Sequence, residues 1–185
     1  MTRSGVALFD TAVGRCAIAW GECGIVGVQL PEASDAGTRR RLRAPPGALD
    51  AEPPREVRHA IDAVVALLRG ERPEPDPLRA VRLDMDGVPL FNRRVYEVTR
   101  AIAPGATLTY GEVAERIGEP GAARAVGQAL GQNPFAPIVP CHRVLAAGGA
   151  AGGFSARGGV ATKLRMLLIE GAAFGAPGLF DDPPR

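Results

Sequence analysis

A chain of 185 residues, 46% apolar and 23% charged, has the balance of a soluble globular protein, with room for one ordinary domain or two small ones. No apolar run approaches membrane-spanning length. The first residues lack the apolar core of a signal peptide, and three cysteines outside a secreted context point to free thiols. The net charge of +2 does not by itself mark a nucleic-acid binder. Its distribution is more telling: residues 86–170 carry nine Lys/Arg against six Asp/Glu, while residues 1–85 are neutral. Arginine supplies 21 of the 22 basic residues along the whole chain, as GC-rich coding would produce and as phosphate recognition would also favour.

Three short apolar runs come first: Val6-Ala7-Leu8-Phe9, Cys16 to Trp20 and Ile25 to Leu30. Gly14 and Gly21-Glu22-Cys23-Gly24 separate them as hairpin turns, which predicts a small antiparallel sheet. Residues 33–50, rich in Arg, Gly and Pro, read as a loop or a partly ordered connection. Pro53-Pro54 opens a helix with Val57, Ile61, Val64, Val65 and Leu68 on one face. Residues 72–77, with three prolines, end it and read as a linker.

The second half reads as helical. Phe91, Val95, Val98 and Ile102 recur at helical spacing up to Pro104-Gly105. Thr109 and Glu112 have the spacing of a capping box, so a helix is expected from Tyr110 to Ile117. Pro120-Gly121 turns the chain into another, Ala122 to about Gly131, and the pair forms a helix-turn-helix pattern. A glycine-rich loop, Gly148 to Gly159, precedes a last helix, Val160 to Ala172, with Leu164, Leu167 and Leu168 as core candidates. Gly175 to Arg185 read as a poorly ordered tail.

Pro140-Cys141-His142-Arg143-Val144 is the most informative stretch. Cysteine as thiolate is a soft nucleophile, and histidine is suited to take a proton near neutral pH. With Asn133-Pro134 upstream, this segment resembles the active-site signature of the O6-alkylguanine-DNA alkyltransferases, the methylated-DNA–protein-cysteine methyltransferases. The resemblance runs from about Phe91 to Gly171, and more faintly over the N-terminal part. It implies an α+β protein: an N-terminal α+β, ribonuclease H-like domain (1–85) with a small antiparallel sheet and helix, then a helical domain of winged helix-turn-helix character (86–174), and the tail (175–185).

The resemblance also implies a chemistry. Double-stranded DNA containing O6-alkylguanine is the partner, and the nucleotide is rotated out of the duplex to be reached. The alkyl group passes irreversibly to Cys141, once per molecule, with O4 of thymine as a further candidate target. His142 is implied as a base acting through water, Glu170 as its orienter, and Tyr110 as a hydrogen-bond donor to the departing guanine. Arg124 fills the gap left in the duplex, on a helix whose Ala122, Ala123, Ala125 and Gly127 permit close minor-groove approach. Asn133 braces the cysteine turn, and Val144, Phe154 and Ser155 belong to the substrate pocket, with Ser155 on a lid over the base. No metal, cofactor or membrane is implied, and a cytoplasmic monomer is expected.

The chain departs from the common pattern in its lid. Phe154 stands where many members have tyrosine, and about two extra residues separate Ser155 from Lys163. Cys16 and Cys23 read as packing residues in the sheet. Two rival readings are a non-catalytic alkylguanine-sensing DNA-binding relative, which would lack the reactive cysteine, and a winged-helix regulator with a structural cysteine.

Overall fold

A computed structural model describes residues 4–173. Strands β1 (Gly5–Thr11), β2 (Gly14–Gly21) and β3 (Gly24–Gln29) form an antiparallel sheet in that order. The expected hairpin turns hold, because Gly14 and Gly24 take positive φ, which L side chains rarely adopt. Helix α2 (Arg55–Leu68) packs on the sheet, over a core that includes Ile18, Trp20, Ile25 and Val28.

Two readings are corrected here. Residues 33–50 are not wholly a loop: α1 runs from Asp35 to Arg41. Ser34 caps it by accepting from Gly37 N, Asp35 opens it and three arginines close it, as the helix dipole favours. The buried face of α2 is also rotated from the expected one. It carries Ala60, Ala63 and Leu67 beside Val57, Val64 and Leu68, whereas Ile61 and Val65 are only partly buried. Small alanines let the helix sit close on the sheet, and a search for large apolar residues passes over them.

The second half begins with α3 (Leu90–Arg100). Then α4 (Tyr110–Arg116) opens on the expected capping box, Thr109 Oγ1 accepting from Glu112 N and the Glu112 carboxylate from Thr109 N. It packs against α5 (Ala123–Gly131), giving the helix-turn-helix pair. Two-residue strands β4 (Leu108–Thr109) and β5 (Val144–Leu145), unforeseen in the sequence, pair in parallel and tie the start of α4 to the cysteine segment. The last helix, α6, spans Val160–Ile169. The expected tail, 175–185, lies outside the described residues.

The halves meet along the segment that precedes Cys141. Val28 N of β3 donates to Pro134 O at 2.8 Å, and Ile25 pairs with residues 82–84 by Ile25 N to Arg82 O and Asp84 N to Ile25 O. Phe135 is fully buried, its ring edge-on to Tyr96 at 6.3 Å between centroids. Ile138 belongs to the core of the first half, and Val139 and Cys141 to that of the second. The cysteine segment is thus clamped between two cores. Phe135→Ala should cost about 3–5 kcal/mol of stability, read as a lower midpoint in urea unfolding; a loss below about 1 kcal/mol would show that this clamp contributes little.

Candidate active site

Cys141 opens a short 3-10 turn, Cys141–Arg143, and is buried at 7% exposure. The turn is braced from behind by Asn133, whose Nδ2 donates to Val139 O at 2.8 Å while its Oδ1 accepts from Phe135 N at 2.9 Å. Burial pushes the Cys141 thiol up from its ordinary value; the Asn133 amide, the Lys163 ammonium and the N–H groups of Cys141 and His142 act against that shift. The resting thiol is therefore protonated at neutral pH.

His142 and Glu170 are both buried and lie together, His142 Nε2 at 2.7 Å from Glu170 Oε1. The same carboxylate receives a fork from Arg143, Nε to Oε2 and Nη2 to Oε1, each at 2.9 Å. Arg143 Nη1 also donates to Ile102 O at 2.5 Å. Burial alone would raise the Glu170 pKa, but the bonds and charges of His142 and Arg143 outweigh it and hold the value at about 2. Burial pushes His142 down despite the pull of Glu170, so the imidazole is neutral near pH 7. An ionised carboxylate only accepts, so Nε2 carries the proton. Nδ1, buried and without a hydrogen-bond partner among the described residues, keeps its lone pair.

Glu170 is the C-cap of α6, where the helix dipole disfavours an acid. His142 and Arg143 compensate the carboxylate, and Arg72 Nη2 donates to the backbone carbonyl of Glu170.

Tyr110 is the first residue of α4 and half-buried. Burial, then the nearby Cys141, raises its pKa, so its phenol stays a donor. A cavity of about 560 Å³ runs between Tyr110, Arg124, Gly127, Cys141, Phe154 and Ser155. Arg124 is exposed in the first turn of α5, with Ala123, Ala125 and Gly127 half-buried around it and Ala122 at the N-cap. Gly152 of the lid has φ +67, and a Cβ there would come within 3.1 Å of the Tyr110 ring. Glycine thus lets the lid lie against the phenol. Val144 lies elsewhere: it is fully buried in the core and lines neither this cavity nor the smaller one next to it.

The sequence reading missed Lys163. Leu168, a core candidate, is 67% exposed, whereas Lys163 on the same helix is completely buried. Lys163 Nζ donates to Val144 O at 2.6 Å and to Gly153 O at 3.4 Å, and lies 3.5 Å from the Tyr110 hydroxyl. It links the cysteine segment, the lid and the phenol. One signal was available: Lys163 is the only lysine in a chain with 21 arginines, so composition alone does not account for it.

The family model described as 6-O-methylguanine DNA methyltransferase, DNA binding domain, matches residues 90–172. A methylated-DNA–protein-cysteine methyltransferase of Mycolicibacterium paratuberculosis is 44% identical over 119 residues, covering 64% of this chain and 68% of its own. The Mycobacterium tuberculosis protein of the same name is 37% identical over 161 residues, 87% of this chain and 88% of its own. A crystal structure of M. tuberculosis OGT in complex with DNA superimposes with a TM-score of 0.69 at 36% identity, covering 90% of this chain and 92% of the other.

Burial pushes Lys163 down to about 8, with Cys141 acting in the opposite direction. Protein labelled with [13Cε]lysine has one lysine resonance, which should titrate near 8. An unfolded lysine titrates near about 10.4. Between those values the unfolded chain binds more protons, so stability should rise with pH across that window relative to Lys163→Met. A resonance titrating near 10.4 would contradict the burial.

Proposed function

Since the chain belongs to the O6-methylguanine-DNA methyltransferase family and repairs O6-alkylguanine by transfer to a protein cysteine, we propose that Cys141 is the acceptor. The observation that carries this reading is the Glu170–His142 couple next to the one thiol that opens on the α5 cavity. Of the other cysteines, Cys16 is buried in the sheet as expected, with its pKa raised to about 11 by burial, whereas Cys23 is not a packing residue but is exposed in a hairpin turn.

The Cys141 proton passes through water to His142 Nδ1, and Nε2–H donates to Glu170 throughout. Sγ attacks the alkyl carbon; the S–C bond forms as the C–O6 bond breaks, and its electron pair leaves on guanine O6. The Tyr110 phenol donates to the departing ring, which recovers the proton that left the thiol. The thioether product is stable, so each molecule acts once. Lys163 aids by its charge near sulfur and by pinning the lid to the cysteine segment.

The partner is double-stranded DNA, bound through α5 from the minor groove, with the target nucleotide extruded and Arg124 in its place. Residues 86–174 do this work and residues 1–85 brace them. We read the chain as a cytoplasmic monomer, a compartment that its three free thiols support. No described helix is long and apolar enough to cross a membrane.

Cys141→Ala should abolish transfer while DNA binding persists, and Cys16→Ala and Cys23→Ala should remain active. Arg124→Ala should slow repair of duplex DNA by about tenfold or more, since extrusion costs a few kcal/mol. The same variant should react almost normally with the free base O6-benzylguanine. Single-turnover rates on both substrates check this, and equal losses would remove Arg124 from extrusion.

A further inference from the structure

Cys141 lies at the meeting of two cavities. The second, about 300 Å³, shares Gly131, Cys141, Phe154 and Ser155 with the α5 cavity. The rest of its wall differs: it is partly apolar, and its polar members are Gln29, Arg41 and Arg43 from the first half and Gln132 and Asn133 from the second. We propose that this cavity receives the far end of the alkyl group and that Arg41 and Arg43 favour adducts ending in a carboxylate, of the carboxymethyl kind. The inference rests on the transfer reading above.

With the base in the α5 cavity and the reacting carbon at Sγ, displacement sets O6, carbon and sulfur nearly in line. Any further atoms of the alkyl group must project sideways from that line, and the second cavity is volume that adjoins Cys141 outside the shared wall. A methyl group makes no use of it.

The wall is suited to an anion. Arg41 is anchored by Nη1 to Glu32 Oε1 at 2.8 Å and by Nη2 to Ser155 O at 3.3 Å. Arg43 Nη2 donates to the backbone carbonyl of Asp86 at 2.5 Å. A guanidinium has five N–H donors, so both keep donors for a carboxylate, which arginine can bind with two parallel bonds. Among the described residues Glu32 is the one carboxylate bonded to either, leaving two positive charges against one negative. Gln29 and Gln132 add further polar groups to the wall.

The lid belongs to the same arrangement. Ser155 O is held by Arg41, and Arg157 Nη1 reaches Glu32 O at 3.5 Å, so the loop is tied to the first half at the cavity mouth. The segment expected to be a featureless connection contributes Arg41 and Arg43 to the site.

The test uses duplexes bearing one O6-methyl-, O6-carboxymethyl- or O6-carbamoylmethylguanine, the last a neutral match for the second. Single-turnover rates are measured by intact mass for the natural protein, Arg41→Gln, Arg43→Gln and the double variant. The carboxymethyl-to-carbamoylmethyl rate ratio should fall about tenfold in the double variant, and Arg43→Lys should retain it. DNA affinity and intrinsic reactivity cancel in this comparison, and the single variants carry it if the double variant does not fold. An unchanged ratio alongside normal methyl transfer would overturn the subsite alone. No methyl transfer by the natural protein would overturn the reading beneath it.

Discussion

The buried carboxylate of Glu170 is the constraint on which the active segment depends. It sits at the end of α6, against a helix dipole that opposes it, and out of water. It remains ionised because Arg143 offers a two-pronged bond and His142 a third contact. Arg143 and His142 in turn belong to the turn that begins with Cys141. One carboxylate therefore fixes two consecutive side chains next to the thiol and sets the imidazole tautomer. Removing one member of such a pair costs about 3–5 kcal/mol, because the partner is left buried and uncompensated. These bonds restrict the turn, which suits the proposed in-line displacement.

Around this centre the two halves have distinct physical tasks. The second supplies the Cys141 thiol, the His142–Glu170 couple and the α5 face. The first holds the segment leading to Cys141 through the Val28–Pro134 bond, the end of α6 through Arg72, and the lid through Arg41 and the carbonyl of Glu32. Lys163 adds an internal link between lid, phenol and cysteine segment. It is costly to bury and is lowered toward neutral pH as a result.

Much of the fold was legible because its signals are local. Apolar runs between glycine turns marked the sheet, and Thr109 with Glu112 marked the start of α4. The losses have physical causes. The α1 helix is only two turns long, and its signals are a serine cap and terminal charges rather than an apolar stripe. Strands β4 and β5 have two residues each, too short for any alternation. On α6 the periodicity misled, since Leu168 faces outward and Lys163 inward; burying a lysine is a tertiary decision that no helical pattern records. The bonds of Arg41 to Ser155 O and of Arg157 to Glu32 O join residues more than one hundred positions apart, and only the fold brings them together.

The most direct measurement is the mass of the intact protein after incubation with duplex DNA containing O6-methylguanine, followed by mapping of the modified peptide. Transfer to Cys141 predicts a gain of one methylene unit on the peptide that contains it, with no further gain on a second equivalent of DNA. An unchanged mass with the DNA tightly bound, or a gain on any other residue, would contradict it.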